Sequence, residues 1–528
     1  MTESRRGPVR PVLMIALDAA EPRLIERWTD DGSLPTLKRL RDAGAYGRLA
    51  SSADWLVGSP WPTFYTGTTP GDHGFYHYLA WRAAEMAAVR PSPDHLPLRP
   101  FWRALSAAGP RAIAVDIPLT YEPEPFNGIE ISNYATHEAL VPTVAHPPTI
   151  LQWAVERAGP PPRADEEYGL QSVDQLLRTR DEQSHGAERV SALAAALMRD
   201  EPWDLFLLGI AATHRGGHKL WDETGVAGEV PAARRAELTD ALRQVYIASD
   251  GVIARVLEQA GPDVTTMVFS LHGMGPNTCR TELLPEMLTR VLSGRAPDES
   301  GAKKPSLVKR LRERIPNHWR HAVKRRLPPA LQDRLTAFWR IGRVDWSATR
   351  AFSLVADLQG YIRINLRGRE AEGVVEPGAE YDRLCEEIAD GLRSFVDADT
   401  GESIVHDVAR ADALYPDGAR RSELPDLLVK WAFTPFAAHR RIVSPRFGAI
   451  DMEAPGRNPS GRSGNHRPEG FLIAAGPGVR QAPLDGAHIL DLAPTAYDLL
   501  GVPQPPEMRG RPIALSGVEA RSEAVRSS

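Results

Sequence analysis

The stretch Val12-Leu13-Met14-Ile15-Ala16-Leu17-Asp18 decides the reading of the fold. Six apolar residues run without a break and end on an acid. A run this short, bounded by polar residues, reads as a strand buried on both faces. Asp18 then stands at the strand's carboxyl edge, where a carboxylate ligates a cation or caps the next helix.

The same rhythm continues along the chain. Residues 34–43 read as a helix entered through Pro35 and stopped at Gly44; residues 101–108 read as another, stopped by Gly109-Pro110. Ala112–Val115 reads as the next strand. Strands follow at 204–210, after a helix around 187–199, and at 264–270, after a helix at 233–259. Later come strands at 360–366, 424–431 and 471–475, with helices at 381–395 and 491–500. Apolar strands separated by helices predict an α/β fold, a large and mostly parallel sheet with helices on both faces. Binding sites in such sheets form beyond the carboxyl ends of the strands.

Polar residues gather at those ends. Ser59-Pro60-Trp61-Pro62-Thr63 places a hydroxyl where a helix begins, with proline at the first helical position. A helix N-terminus offers free N–H groups and a positive dipole end to a phosphate or sulfate. Ser59 either caps that helix or attacks a substrate, and the local sequence leaves both open. Thr63 is a second hydroxyl, one turn inside. Thr213-His214-Arg215-Gly216-Gly217-His218 sets two imidazoles four residues apart, although its glycines argue against a regular helix. His272 follows the strand at 264–270, and His466 precedes the strand at 471–475. Imidazoles with a carboxylate suit zinc or another transition metal.

Composition bounds the remaining possibilities. The chain has 528 residues, 42% hydrophobic and 25% charged, with a net charge of −5. Those values describe a large globular protein and give no whole-chain argument for nucleic acid or membrane binding. Two cysteines are too few for a disulfide framework or a thiolate zinc site, and they suit a reducing compartment. The first apolar run is too short for a signal peptide or a membrane helix, so a cytoplasmic location is expected. Residues 294–343 differ from the rest: basic side chains from Lys303 to Arg343 are interleaved with Trp319, Phe338 and Trp339. This segment reads as an inserted, partly helical cap, presenting either a solvated basic face or a surface for anionic partners.

The order of these motifs resembles the alkaline phosphatase superfamily, most closely its type I phosphodiesterase/nucleotide pyrophosphatase branch. The resemblance rests on Asp18, Pro35-Thr36-Leu37, Thr66-Gly67-Thr68-Thr69-Pro70-Gly71-Asp72-His73-Gly74, Thr213 to His218, His272-Gly273-Met274-Gly275, His466-Arg467-Pro468-Glu469-Gly470 and Asp491-Leu492-Ala493-Pro494-Thr495. It implies a core formed by residues 11–293 and 344–513, with 294–343 inserted and 514–528 a loose tail.

The resemblance also implies a metal-dependent hydrolase of phosphate esters, phosphodiesters foremost, acting on a small anionic substrate. That family uses two divalent ions, commonly zinc, and a Ser or Thr nucleophile at a helix N-terminus. Carried over by motif, Asp18 and His272 ligate one ion and His214, His218 and His466 the other. Ser59 is the attacking group, and Asn277 is a substrate contact. Three departures stand out. His214 and Leu271 occupy positions where the family usually has Asp, and the usual nucleophile position falls near Val57. One or two ions are therefore expected. The alternatives are a family member that has lost hydrolysis and binds a phosphorylated partner, and a phospho-group transferase.

Overall fold

The strand Val12–Leu17 is buried along its whole length. It pairs in parallel with Leu205–Ile210 on one side and Thr265–Ser270 on the other. The computed structural model describes residues 10–135, 142–162, 168–294, 327, 331, 344–452 and 455–515.

Nine strands form the central sheet, in the order Pro483–Leu484, Ala45–Leu49, Gly470–Ala475, Thr265–Ser270, Val12–Leu17, Leu205–Ile210, Ala112–Val115, Gly128–Ser132 and Val144–His146. Five neighbouring pairs run parallel. Three run antiparallel, two of them flanking Gly470–Ala475.

Alternation along the first strand explains why it is apolar throughout. Leu13, Ile15 and Leu17 join a core beneath the long helices Val173–Asp200 and Ala232–Ala260. Val12, Met14 and Ala16 join a second core on the opposite face, with Phe64, Phe101 and Leu492 from the helices Pro60–Thr66, Phe101–Ser106 and Leu492–Leu499. Each fully buried aliphatic side chain contributes about 1.5–3 kcal/mol, so a charge at Ile15 would break the sheet at its centre.

Residues 351–451 build sheets of their own. Ala351–Ser353, Gly360–Ile364, Leu427–Trp431 and Val405–Arg410 form a four-stranded antiparallel sheet. It shares a core with the helices Leu284–Ser293 and Ala379–Arg393. A three-stranded sheet, Val396–Asp397, Arg441–Ser444 and Gly448–Asp451, lies beside it in sequence. This lobe matters to function because Gln359 and Lys430 reach from it to the edge of the central sheet, where both bond the loop at Ala53 and Asp54. The basic segment 294–343 lies outside the described residues save Gly294, Leu327 and Leu331, as do residues 516–528 of the tail. Among the described residues, no helix is long and apolar enough to cross a membrane.

Candidate metal centre

Three parallel strands end at one edge of the sheet and deliver Asp18, the helix Ala212–Lys219 and His272. His466 reaches the same edge for a different reason. Gly470–Ala475 runs antiparallel, with Phe471 opposite Ser270, so it starts where its neighbour ends. The residues before it, Gly464–Arg467, pair with Gly273–Pro276 and set His466 opposite Met274. That short ladder brings the His272 and His466 rings to a centroid distance of 4.7 Å.

The segment holding His214 and His218 is helical, contrary to the reading of its glycines. Packing explains the difference. A Cβ at Gly217 would stand 2.8 Å from Met274 Cγ, and one at Gly216 would stand 3.3 Å from Val245 Cγ1. Glycine lets the helix press against the strand at 273–276 and the long helix at 232–260, and that burial outweighs the roughly 1 kcal/mol propensity cost per glycine. The reward is geometric: residues four apart share one helix face.

On that face the Nε2 atoms of His214 and His218 stand 3.0 Å apart. Each ring is held from behind. His218 Nδ1 donates to the carbonyl of Gly464 at 2.9 Å, and His214 Nδ1 donates to Asp18 Oδ2 at 2.8 Å. Carbonyl and carboxylate oxygens accept, so each Nδ1 carries a proton and each ring turns its Nε2 forward. Two lone pairs at this distance repel unless a cation lies between them. One ring nitrogen of His466 joins them, the three nitrogens lying within 4.8 Å of one another, close enough to hold one ion. The buried Nδ1 atoms of His466 and His272 have no hydrogen-bond partner. This donor set fits a zinc-class ion, which binds neutral imidazole at about 2.0–2.1 Å.

Electrostatics favour the ligating form. Burial, then the neighbouring imidazoles, hold His466 well below its ordinary pKa. Burial likewise lowers His218, with Arg462 and His214 adding to the effect. His272 is pushed down to about 4, chiefly by burial.

Asp18 is 2% exposed. Besides the His214 bond, its Oδ1 accepts from Trp61 Nε1 at 3.0 Å. Thr213 Oγ1 donates to its backbone carbonyl at 2.6 Å, tying the strand end to the helix that carries both histidines. The structure therefore brings Asp18, His214, His218, His272 and His466 together at one edge.

Ser59 is placed differently from the nucleophile expected of it. It has zero exposure, and its Oγ lies 2.7 Å from the carbonyl of Leu56 and 2.8 Å from Ser52 Oγ. Ser52 meets Thr63 Oγ1 at 3.2 Å, and Thr63 meets His73 Nε2 at 3.1 Å. The result is a closed chain of hydroxyls inside the loop, directed at none of the four clustered imidazoles. The helix Pro60–Thr66 is also a poor anion cradle, because two of its first three residues are prolines without an N–H. Its contribution to the site is the indole of Trp61. Val57 and Leu271 are 6% and 1% exposed. Asn277 ties three segments together: Nδ2 donates to the carbonyl of Arg462, and Oδ1 accepts from Cys279 N and Asn465 Nδ2.

Sequence reasoning passed over the cleft beside His466. Asp54, Thr278, Gln359, Lys430, Phe433 and Arg467 line it. Lys430 Nζ is bound to Asp54 at 2.8 Å and lies 4.1 Å above the Trp55 ring. Phe433 is 60% exposed at its mouth. One signal was available: Lys430 interrupts an otherwise apolar run, Leu427-Leu428-Val429-Lys430-Trp431.

No curated protein matches the sequence. Phosphonoacetate hydrolase from Sinorhizobium meliloti 1021, solved with phosphonoacetate, shares 13% identity at a TM-score of 0.50, covering 95% of this chain and 98% of its own. Human ectonucleotide pyrophosphatase / phosphodiesterase 5 shares 12% identity at a TM-score of 0.47, covering 94% and 96%. The fold is that of the alkaline phosphatase superfamily. The model of the type I phosphodiesterase / nucleotide pyrophosphatase family matches residues 12–432, and the chain belongs to that family of phosphoester hydrolases.

Proposed function

We propose that this protein hydrolyses phosphodiesters with a divalent ion of the zinc class held by His214, His218 and His466. The carrying observation is the 3.0 Å approach of two Nε2 atoms whose rings are both anchored through Nδ1. When bound, the ion supplies Lewis acidity and positive charge to the phosphoryl oxygens. The chain's own residues do the rest. Gly464 and Asp18 hold the ring tautomers, and the burial of His218 and His466 keeps their lone pairs available at neutral pH. The ester approaches from the side of His466 on which Phe433 is exposed.

We assign the attack to water rather than to Ser59. To attack, Ser59 would have to leave both of its buried hydrogen bonds, and its proton already faces a carbonyl that can only accept it. A reducing compartment suits the two free cysteines, Cys279 and Cys385.

Turnover of bis-p-nitrophenyl phosphate by the zinc-loaded protein tests the reading. Activity that is lost on chelation, restored by zinc and retained by Ser59→Ala supports it. A metal-loaded protein inert towards phosphodiesters and monoesters would overturn hydrolysis and favour the binding of a phosphorylated partner. Val57 and Leu271, apolar where the family carries hydroxyl and carboxylate, favour that second reading.

A further inference from the structure

We propose that Asp18 is a positioning residue of a one-ion centre: its carboxylate orients His214 and lends no oxygen to a second ion. The inference rests on the metal reading above and deepens it. Asp18 lies between two N–H donors, His214 Nδ1 at 2.8 Å and Trp61 Nε1 at 3.0 Å, one to each oxygen. An N–H aimed at a carboxylate oxygen occupies a direction from which a cation would approach. Indole nitrogen only donates, so Trp61 cannot turn into a ligand.

The surroundings point the same way. Leu271 and Trp61 belong to one apolar cluster with Ala16, Phe64 and Phe269 on the same face of the sheet. Such a wall offers a second cation no donor atom and no charge to offset its desolvation. His272 alone remains on that side, and its ring lies against His466. The hydrogen bond to His214 is the more consequential link. It fixes the protonated nitrogen and the ring plane, and so aims Nε2 at His218. Carboxylates that hold a ligating imidazole in this way typically alter metal affinity by about 10- to 100-fold.

Equilibrium dialysis against zinc, followed by elemental analysis, tests the assignment on the full chain alongside Asp18→Asn, Asp18→Ala and Trp61→Phe. The expected stoichiometry is one ion per chain in the unaltered protein and in all three variants. Affinity should fall by about 10- to 100-fold in Asp18→Ala and by less in Asp18→Asn, which keeps a carbonyl acceptor for His214. Trp61→Phe should leave affinity nearly unchanged. The visible absorption of the cobalt(II)-loaded protein should shift in the Asp18 variants, a readout that a merely structural role would not move. If Asp18→Ala does not fold, Asp18→Asn carries the comparison. Two ions in the unaltered protein, with one lost from Asp18→Asn at unchanged affinity for the other, would overturn this inference and leave the metal reading standing. No bound ion at all would overturn both.

Discussion

The carbonyl of Gly464 stands 2.9 Å behind Nδ1 of His218, so a backbone group determines which ring nitrogen faces the site. The glycine is required there. A Cβ at position 464 would lie 2.1 Å from the carbonyl oxygen of Gly217, one residue before His218. Backbone cannot yield as a flexible side chain can. Gly464→Ala is expected to destabilise the fold by about 3 kcal/mol and to cut zinc content well below one ion per chain. Urea unfolding and elemental analysis check the two parts separately.

His218→Ala removes a donor without disturbing the sheet. Its expected signature is metal content near zero, phosphodiester turnover reduced at least about 100-fold, and a melting temperature that no longer rises on adding zinc. Melting curves with and without zinc decide the outcome. A zinc-induced rise that survives in the variant would count against the assignment of His218.

The hydroxyl chain from Ser59 to His73 predicts a loss of stability from loop variants with chemistry spared. Ser59→Ala removes the buried hydroxyl that meets Ser52 and Leu56, while Ser52 keeps Thr63 and the Leu56 carbonyl keeps the Ser59 N–H, so it should cost about 1 kcal/mol. Turnover per folded molecule should stay within a few-fold of the unaltered protein. A loss of three orders of magnitude in kcat with an unchanged unfolding midpoint would return the attacking role to Ser59.

His73 supplies a pH dependence away from the metal ligands. Burial holds its pKa down at about 3, while in the unfolded chain it titrates near 6.5. Between those values the unfolded chain binds a proton that the folded one refuses, so stability falls as pH drops below about 6.5, by up to about 1.4 kcal/mol per unit. The contribution is fully present above 6.5. His73→Gln should flatten the dependence of unfolding free energy on pH by one proton, measured in urea between pH 4 and 7.

Much of the central sheet was readable because period and burial coincide in its inner strands. Val12–Leu17, Ala112–Val115 and Leu205–Ile210 are apolar on both faces and carry their own signal. The outlying strands Ala45–Leu49, second from one edge, and Val144–His146, at the other, are short and partly exposed, and they offered none. Asp18 and the four histidines were legible because strand ends are where polar residues collect. Which oxygen meets which nitrogen was not, since Trp61 approaches Asp18 from a helix 43 residues away in sequence. The helix at His214 was hidden by glycines whose use is tertiary. The bonds of Ser59 were not legible either, because a buried hydroxyl network and a poised nucleophile look alike in one dimension.

The reversed strand Gly470–Ala475 has a consequence for biosynthesis. Among the described residues it is the strand that joins Ala45–Leu49 to Thr265–Ser270 in the central sheet, and its approach carries His466. A nascent chain emerging from the ribosome cannot join these two parts until residue 475 has been made, and closing such long-range pairings is slow. Shortened products that end before His466 lack both the bridge and the third imidazole. The bridging strand and the third imidazole therefore arrive at the same stage of synthesis.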